Sequence, residues 1–402
     1  MSMSGILVIG AGQAGASLVA KLRALGHAGA ITLIGDEPVP PYQRPPLSKG
    51  YLKGEMALER LFLRPESFYA DQDITLKLGS PVTGIDPAAR QVYLGDMVLG
   101  YDQLALTTGA VPRLLPAGIG GALDGVYPVR RLADIDAMAP EFRPGRRVLI
   151  VGGGYIGLEA AAVARQRGLA VTLIEAAPRI LQRVAAPETS DYMRALHAAQ
   201  GVRIIEDCAL ARLTGEGRVD GAELADGQRL SADFVIMGIG ITPDSVLARG
   251  AGLVLDNGIA VDEMGRTSDP HVWAAGDCAS FPYQGGRIRL ESVQNAIDQA
   301  EAVAANMLGA DTGYVPQPWF WSDQYDLKLQ IAGLNTGYDH VVVRPGAAAQ
   351  SHWYYAGDRF LAVDAMNDPR AFMLGKRLLA AGRSPDPAVL ADPGADLKTL
   401  LA

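Results

Sequence analysis

The same strand, glycine turn and helix pattern occurs twice along this chain. A short apolar run at residues 6–9 gives way to Gly-Ala-Gly-Gln-Ala-Gly at residues 10–15, followed by a helical stretch. A second apolar run at residues 148–151 gives way in the same manner to Gly-Gly-Gly-Tyr-Ile-Gly at residues 152–157. Because a glycine turn between a buried strand and a helix opens a dinucleotide-binding fold, the chain is expected to contain two parallel βαβ units.

The three glycines of each pattern have separate physical tasks. The first allows a tight strand-to-helix turn, the second lets a pyrophosphate approach the backbone, and the third lets the helix pack on the strand. The helix N-terminus adds partial positive charge at the same place. We therefore expect both patterns to bind dinucleotides through Gly10, Gly12 and Gly15 in the first and Gly152, Gly154 and Gly157 in the second.

A carboxylate follows the second strand of each unit. Asp36 and Glu37 come after the apolar residues 31–34, and Glu175 comes after residues 170–174. An acid at this point accepts hydrogen bonds from the ribose diol of a dinucleotide. Asp36 is the expected ligand in the first unit, with Glu37 as the alternative one position later.

Glu175 also bears on the choice of coenzyme. Its carboxylate accepts the adenosine 2′-hydroxyl of NADH and repels the 2′-phosphate of NADPH, so NADH is the expected coenzyme. Arg179 and Arg183 lie near enough in sequence to bind such a phosphate. Use of NADPH therefore stays open, with Arg183 expected either near the pyrophosphate or at the surface.

Charge and hydropathy exclude several classes of partner. Lys and Arg number 36 against 44 Asp and Glu, and the formal charge of −8 disfavours general binding to nucleic acid or to an anionic membrane. No stretch approaches the roughly 20 apolar residues of a membrane span. The first residues also lack the cationic start of a signal peptide. We expect a cytoplasmic protein with neither nucleic acid nor membrane as a partner.

The cysteine and histidine content disfavours thiol and metal chemistry. Cys208 and Cys278 are the two cysteines of the chain, too few for a four-thiolate cluster and without the close spacing of a disulfide reductase. Both are expected to be small buried side chains. The five histidines show no metal-ligand spacing, so no metal site is predicted.

The rest of the chain has other element patterns. Alternating stretches between residues 216 and 240 predict hairpins that end in a buried strand at 234–237, and residues 291–308 have helical periodicity. After residue 321, strand-like stretches followed by one helix predict a small α+β domain. These stretches are residues 328–332, 340–344, 353–364 and the helix at 369–381.

Several longer motifs now make the chain resemble a known family, the NADH-dependent flavoprotein ferredoxin reductases of bacterial cytochrome P450 and dioxygenase systems. The resemblance extends over nearly the whole chain. Besides the two glycine patterns, it is carried by residues 44–49 (Arg-Pro-Pro-Leu-Ser-Lys), 107–109, 275–278, 291–293 and 319–325. A set of motifs spread in this way is far more specific than one glycine turn.

The resemblance implies an α/β fold of two Rossmann-like dinucleotide-binding domains, as in glutathione-reductase-like flavoproteins, plus a small α+β C-terminal domain. The FAD-binding domain is then discontinuous and comprises residues 1–110 and 245–320. The NADH-binding domain comprises residues 111–244, and the C-terminal domain residues 321–402.

The resemblance also assigns cofactor contacts. Lys49 is expected at the flavin, Asp277 at a ribityl hydroxyl, and Val293 at the pyrimidine end of the flavin, where the helix beginning near Glu291 points its N-terminus. Other matching FAD positions are Gly10, Gly12, Ala14, Gly15, Asp36, Val82, Thr108, Gly109, Arg130 and Gly276. Matching NADH positions are Gly152, Gly154, Tyr155, Ile156, Gly157, Glu175 and Arg183. Core packing is the alternative for the two valines, and a solvated charge pair is the alternative for Arg130.

Lys49, Glu159 and Trp321 are the catalytic residues that the resemblance implies. The lysine is expected to pair with Glu159 near flavin N5, and Trp321 is expected close to the flavin where the partner docks, with a core aromatic as the alternative. Tyr155 is expected to stack over the flavin until nicotinamide displaces it, or else to pack within its helix. The reaction implied is hydride transfer from NADH to FAD, followed by single-electron transfer to a [2Fe-2S] ferredoxin.

Two other functions stay open. The same fold serves rubredoxin reductases, and in relatives of the apoptosis-inducing-factor type it signals to a partner in response to NADH. Because ferredoxins are usually acidic, a local basic patch near the flavin is expected, with Arg64, Arg289 and Arg344 as candidates.

Overall fold

The structure of the chain is a computed structural model that describes residues 5–346, 349–397 and 400. It divides into two compact units. The first contains the chain up to Arg44 together with Ala57–Val111 and Ile241–Pro318. The second contains Pro45–Met56, Pro112–Gly240 and the chain from Trp319 onward. The three domain boundaries expected from the sequence stay a prediction.

Helices and strands alternate through both nucleotide-binding regions. The helices are α1 Gln13–Ala24, α2 Glu66–Asp71, α3 Leu132–Met138, α4 Tyr155–Gln166, α5 Pro187–Ala199, α6 Val246–Gly250, α7 Val293–Met307, α8 Pro369–Ala380 and α9 Pro387–Ala391.

The strands of the first half of the chain are β1 Ile6–Ile9, β2 Ile31–Ile34, β3 Ile74–Lys77, β4 Gly84–Asp86, β5 Gln91–Leu94, β6 Met97–Gly100, β7 Gln103–Leu106, β8 Ala110–Pro112, β9 Val126–Pro128, β10 Arg147–Val151, β11 Ala170–Ile174 and β12 Arg203–Ile205. Those of the second half are β13 Leu210–Thr214, β14 Gly221–Leu224, β15 Arg229–Ser231, β16 Phe234–Met237, β17 Ile241–Pro243, β18 Ile259–Ala260, β19 Val272–Ala274, β20 Ala279–Tyr283, β21 Gly286–Ile288, β22 Trp319–Gln324, β23 Leu327–Gly333, β24 His340–Arg344, β25 Gln350–Ala356 and β26 Arg359–Met366.

The first unit is built on a parallel sheet in the order β19-β7-β1-β2-β3. Helices α1 and α7 pack together beside it, and Leu18 and Leu22 of α1 share a buried cluster with Ala300 and Val303 of α7. The central strand β1 is a continuous apolar run because it is buried on both faces of the sheet, whereas the edge strand β3 ends in the partly exposed Lys77. This unit also contains the smaller sheets β4-β5-β6 and β18-β20-β21.

The second unit repeats the same parallel arrangement, in the order β12-β11-β10-β16-β9. Strand β10 takes the central place that β1 takes in the first sheet, and in each case the glycine turn and helix follow that central strand. Two Rossmann-like folds are therefore present, as expected. The predicted hairpin region contains β14 and β15, and β13, which lies before the predicted range, joins them in the antiparallel sheet β13-β14-β15.

The C-terminal part of the second unit is an antiparallel sheet in the order β22-β23-β26-β25-β24. Helix α8 packs on it, with Phe372 and Leu378 in one buried cluster with Trp353 and Val363. The expectation of one strand-like stretch over residues 353–364 is wrong in one respect, because an exposed turn at Gly357 and Asp358 divides it between β25 and β26. The α+β class of this domain is confirmed.

A buried polar cluster joins α5 to the C-terminal sheet within the second unit. Thr189 Oγ1 donates to Asp364 Oδ2 over 2.7 Å and lies 2.8 Å from His352 Nδ1. The Tyr354 hydroxyl donates to the same Asp364 oxygen. Each of these four side chains is at most 1% exposed.

In the described residues, no helix is both long and apolar enough to cross a membrane.

Candidate functional site

Both glycine turns have the geometry that a bound diphosphate requires. Gly10 and Gly152 have positive φ angles of 111° and 109°, and a side chain on either would collide with a backbone carbonyl. By contrast, no atom lies within 4 Å of the position that a Cβ would take on Gly12 or Gly154. The middle glycine of each turn thus faces open space at a helix N-terminus, and the residues present fit a dinucleotide there.

The third glycine of each turn brings helix and turn into close approach. A Cβ on Gly15 would collide with the Gly10 carbonyl, and a Cβ on Gly157 would collide with the Gly152 carbonyl. The two turns are therefore the same structure used twice. Ala14 lies beside Gly15 in α1, and Ile156 lies beside Gly157 in α4 with 44% of its surface exposed.

In the first unit, the two candidate ribose ligands lie in different surroundings. The Glu37 carboxylate accepts from the Tyr42 hydroxyl at 2.7 Å and pairs with Arg44 at 2.8 Å. Asp36 is exposed just after β2. The choice of Asp36 over Glu37 for a ribose stays a prediction.

In the second unit, Glu175 braces the turn that precedes α4. Its Oε2 accepts from the Gly153 amide at 2.7 Å and its Oε1 from the Ala177 amide at 2.8 Å. Arg179 is anchored on the protein, since it donates to Ser190 Oγ at 2.5 Å. Arg183 is exposed and approaches Gly240.

Lys49 and Glu159 form the expected ion pair, with Lys49 Nζ 2.9 Å from Glu159 Oε1. Lys49 comes from a short kinked helical turn, Leu47–Tyr51, that packs on α4. The Glu159 side chain is only 4% exposed, against 19% for that of Lys49. The lysine therefore reaches the surface while its carboxylate partner is buried beneath it.

Two serine hydroxyls complete the surroundings of Glu159. Ser322 Oγ donates to Oε1 at 2.7 Å and Ser48 Oγ to Oε2 at 3.3 Å. Burial raises the pKa of Glu159, and the charge of Lys49 and the two hydroxyls act in the opposite direction. The protonation state of Glu159 thus depends on Lys49 and on the hydroxyl groups that donate to its carboxylate.

The side chains of β22 alternate between two faces of the strand. Phe320, Ser322 and Gln324 face α4 and α5, where the Phe320 ring lies 5.0 Å from that of Tyr155. Trp319 and Trp321 lie on the opposite face with their ring centroids 5.5 Å apart. Trp319 packs on Phe372 of α8 and lies under the Lys376 ammonium, whereas Trp321 is half-buried.

Tyr155 opens α4 with its hydroxyl inside the protein. This hydroxyl is buried and has no hydrogen-bond partner among the described residues. Burial raises its pKa well above the usual value, with smaller contributions from Asp364 and Tyr354. The Tyr155 ring packs on the Phe320 ring, with the centroids 5.0 Å apart.

The start of α7 is a capped helix N-terminus in the first unit. Ser292 is the cap, since its hydroxyl accepts from the Asn295 amide at 3.1 Å. Val293 is the first helical residue, and Glu291, just before the cap, pairs with Arg289 at 2.5 Å. Glu291 and Val293, both expected at the flavin, thus lie at the N-terminus of a 15-residue helix, which is the positive end of the helix dipole.

Other predicted FAD positions of the first unit line the loops after β7 and β19. Thr108 Oγ1 donates to the Asp244 carbonyl at 2.5 Å, and the Gly109 carbonyl accepts from the Asp244 amide at 2.9 Å. Gly276 is where α1 comes close, since a Cβ built there lies 3.0 Å from that of Ala14. The half-buried Asp277 follows it, and its carbonyl accepts from Arg289.

Two predicted positions lie outside these groups. Val82 is half-buried in the loop before β4. Arg130 precedes α3 in the second unit, where its amide donates to Asp134 at 3.1 Å. Its side chain is half-buried, whereas Arg131 is exposed.

Two of the three arginines expected to form a docking patch make contacts within the fold. Arg344 donates to the carbonyls of four residues, Leu390, Asp392, Pro393 and Ala395. The Arg289 side chain is 10% exposed and pairs with Glu291. The Arg289 charge is paired, whereas Arg344 keeps its charge, is half-buried and is fixed by backbone carbonyls. A docking role for these two arginines stays a prediction. Arg64 is exposed above the Phe68 ring.

Both cysteines are buried and unpaired, as expected. The Cys278 thiol donates to the Leu106 and Ala275 carbonyls, and burial raises its pKa. A thiol in this state is a poor nucleophile. Within the described ranges, no group of three or more His, Cys, Asp and Glu side chains is arranged to hold a metal ion.

Sequence reasoning missed several polar residues next to the Lys49–Glu159 pair. Ser48, Ser322, Gln324 and His197 are each at most 3% exposed. The 319–325 segment gave no clear alternation, because Ser322, Asp323 and Gln324 are consecutive polar residues. His197, on α5, had no sequence signal that tied it to this strand.

Comparison with known proteins places this geometry in a family. The Pyridine nucleotide-disulphide oxidoreductase family profile matches residues 4–300, and the Reductase C-terminal profile matches residues 319–401. Rhodocoxin reductase of Rhodococcus erythropolis is 42% identical over 403 residues, covering 99% of this chain and 94% of the relative. A ferredoxin–NAD(P)(+) reductase of a Sphingomonas species is 44% identical over 404 residues, covering 98% and 97%.

A solved structure agrees with this placement. The covalent putidaredoxin reductase–putidaredoxin complex matches with a TM-score of 0.96 and 40% identity, covering 100% of this chain and 99% of the matched chain. The expected fold, the oxidoreductase class and the use of FAD with a nicotinamide dinucleotide are confirmed. The chain belongs to the pyridine nucleotide-disulphide oxidoreductase family, among the flavoprotein ferredoxin reductases that carry a Reductase C-terminal domain.

Proposed function

We propose that this chain transfers reducing equivalents from NADH through FAD to a [2Fe-2S] ferredoxin that serves a cytochrome P450 or related oxygenase. The observation that carries the proposal is similarity to ferredoxin reductases through both nucleotide-binding regions and the C-terminal domain. Rhodocoxin and putidaredoxin reductases are named for the electron carriers they reduce, and putidaredoxin is bound in the solved complex. A cytoplasmic location stays a prediction.

The chemistry supplied by bound FAD is the exchange of a two-electron hydride for single electrons. The residues of the chain bind and orient. The first glycine turn, with Asp36, is assigned to FAD and the second, with Glu175, to NADH. Glu175 already accepts two backbone amides, which fixes its carboxylate at the end of β11 for a ribose.

Lys49 is assigned to the flavin, with Glu159 as the group that holds it. A unit charge pair about 4 Å apart interacts by roughly 4 kcal/mol at an effective dielectric near 20, before desolvation is subtracted. Glu159 therefore orients the ammonium group. The α7 N-terminus, beside Val293, is assigned to stabilise negative charge on the flavin through its dipole.

The cysteines support direct electron exit from the flavin. Family members that reduce disulfides need two neighbouring thiols, because a thiolate must attack a disulfide sulfur. This chain has only Cys208 and Cys278, and both are buried.

An anaerobic titration followed by coupled turnover tests the proposal. The purified chain is expected to show a flavin spectrum that bleaches with NADH, and cytochrome c reduction is expected to depend on an added [2Fe-2S] ferredoxin. Equal stimulation by rubredoxin would favour the rubredoxin alternative. A long-lived charge-transfer complex with slow turnover would favour signalling, and protein without flavin would overturn the proposal.

A further inference from the structure

A continuous hydrogen-bond chain runs through the buried interior of the second unit from Glu159 to Tyr325. Ser322 Oγ donates to Glu159 Oε1 at 2.7 Å and accepts from Gln324 Nε2 at 3.0 Å. Gln324 Oε1 lies 2.7 Å from His197 Nε2, and the Tyr325 hydroxyl lies 3.2 Å from His197 Nδ1. These bonds link α4, β22 and α5, and we call this set the Glu159–Tyr325 relay.

The chemistry of the amide sets the direction of every bond in the relay. Gln324 Oε1 only accepts, so His197 Nε2 must carry the hydrogen. The other ring nitrogen of a neutral imidazole is then an acceptor, and it accepts from the Tyr325 hydroxyl. Each hydrogen therefore points along the relay towards Glu159.

His197 takes part as a neutral group. It is 0% exposed, and burial lowers its pKa. Burial also raises the pKa of Tyr325, so the phenol keeps its proton. The relay ends at Glu159, which pairs with Lys49, and at Tyr325, on which Arg165 acts at longer range.

Aligned donors in a buried region reinforce one another. Each bond polarises the next, and the low local dielectric strengthens the result. The relay therefore offsets part of the cost of burying a negative charge on Glu159. A side-chain amide does not readily pass on a proton, so Gln324 makes this a path for polarisation and orientation.

We propose that His197 is a positioning residue for the Lys49–Glu159 pair, acting through Gln324 and Ser322 to hold Glu159 as a carboxylate that orients Lys49. The flavin measurements below rest on the proposed function. The imidazole measurement does not, so failure of one is distinguishable from failure of the other.

The tautomer of His197 is the first test. Nitrogen NMR of the FAD-bound protein with 15N-labelled histidine is expected to show one residue, absent from His197→Gln, protonated at Nε2 and not titrating between about pH 5.5 and 8.5. Its Nε2 signal is expected to move in Ser322→Ala, because the next link is cut. An Nδ1-protonated ring, or titration near pH 6.5, would overturn the proposal.

The pH profile of flavin reduction by NADH is the second test. Loss of the relay in His197→Phe or Ser322→Ala is expected to raise the apparent pKa of the profile by about one unit, because the carboxylate loses stabilisation. In His197→Gln the new side-chain amide can still donate to Gln324, so this variant is expected to keep the wild-type pH profile. His352→Gln, a buried histidine outside the relay, is the matched control and is expected to leave the profile unchanged.

A double variant completes the design. In a Glu159→Gln background, Ser322→Ala is expected to have no further effect on the profile, because the group it acts through is gone. Should His197→Phe not fold, Gln324→Met takes its place, because it cuts the link between His197 and Ser322 and leaves Ser322 intact. It is expected to raise the apparent pKa as His197→Phe does, and an unshifted profile in either folded variant would overturn the proposal. An unshifted pH profile in Ser322→Ala would overturn the proposal. A profile that differs between Glu159→Gln and the double variant Glu159→Gln/Ser322→Ala would also overturn it.

Discussion

Thr189 Oγ1 on α5 lies 2.7 Å from Asp364 Oδ2 on β26, at a place where both side chains are at most 1% exposed. The Tyr354 hydroxyl donates to the same oxygen. Hydroxyl donors stabilise a carboxylate less than a cation does, so burial dominates and raises the pKa of Asp364 from 3.8 to about 6. This contact therefore makes part of the stability of the second unit dependent on pH.

The raised pKa of Asp364 predicts stability that is lost as pH rises. The folded state binds a proton that the unfolded chain has already released, so this contribution is complete below about pH 4 and gone above about pH 6, a difference of roughly 3 kcal/mol. Asp364→Asn is expected to remove this component of the pH dependence. Urea unfolding between pH 4 and 7 measures it, with exposed Asp358→Asn as control. Parallel curves for wild type and Asp364→Asn would contradict the prediction.

Replacement of Lys49 by Met is expected to slow flavin reduction by NADH about tenfold or more, since the positioned cation is lost. The variant also leaves Glu159 without its cation, so the pKa of Glu159 is expected to rise. Stopped-flow absorbance measures the rate. Lys53→Met is the control, because Lys53 pairs with Glu55, a residue whose side chain is 61% exposed. An unchanged rate in Lys49→Met would remove Lys49 from the mechanism.

The two glycine positions of the second turn should respond differently to alanine. Gly154→Ala places a methyl group in open space, so the protein is expected to fold, retain FAD and lose affinity for NADH. Gly152→Ala requires a positive φ and a carbonyl collision, so it is expected to destabilise the unit by roughly 1–3 kcal/mol or more. Thermal unfolding and NADH titration separate the effects. Equal NADH affinity in Gly154→Ala and wild type would contradict the assignment of this turn.

Removal of the Glu175 charge should weaken discrimination between coenzymes. In Glu175→Gln the repulsion of a 2′-phosphate is lost, and the ratio of kcat/KM for NADH over NADPH is expected to fall about tenfold. The glutamine can accept from only one of the two backbone amides, so affinity for both coenzymes is expected to fall as well, and the ratio is the informative quantity. Exposed Glu188→Gln, at the start of α5, is the control. If the ratio does not change, Glu175 does not determine the coenzyme.

Electron transfer to ferredoxin should weaken as salt is added. Attraction between a basic surface and an acidic carrier is screened over about 8 Å at physiological ionic strength, whereas the small acceptor ferricyanide needs no docking. Turnover with each acceptor between 20 and 500 mM salt, as approximate limits, measures the difference. Equal salt responses would argue against electrostatic docking. Arg289 pairs with Glu291 and Arg344 holds backbone carbonyls, so replacing either would also disturb local structure. The exposed Arg64 makes no such contact among the described residues, and Arg64→Gln is therefore the informative variant.

Local patterns predicted the nucleotide-binding folds well. The strand at residues 170–174 and the one at 234–237 occur as expected, because a glycine turn, an apolar run and a helix are encoded by neighbouring residues. The turn at Gly357 and Asp358 was missed although it carried a signal, because a Gly-Asp pair between two strand-like runs is typical of a two-residue hairpin loop.

Contacts between distant segments were the harder part to predict. The resemblance supplied the pairing of Lys49 with Glu159, whereas apolar and polar periodicity did not. His197 meets Gln324 only because α5 and β22 pack in the same unit. A histidine on a helix gives no indication of such a partner, since its neighbours in space are set by packing.

The alternation along β22 has a consequence for how this segment tolerates change in length. Insertion or deletion of one residue between Trp319 and Gln324 would turn the residues on one side of the change to the opposite face of the sheet. Either the indole rings would leave α8, or Ser322 and Gln324 would leave Glu159 and His197. A change of one residue in length would therefore cost this strand one of its two sets of contacts.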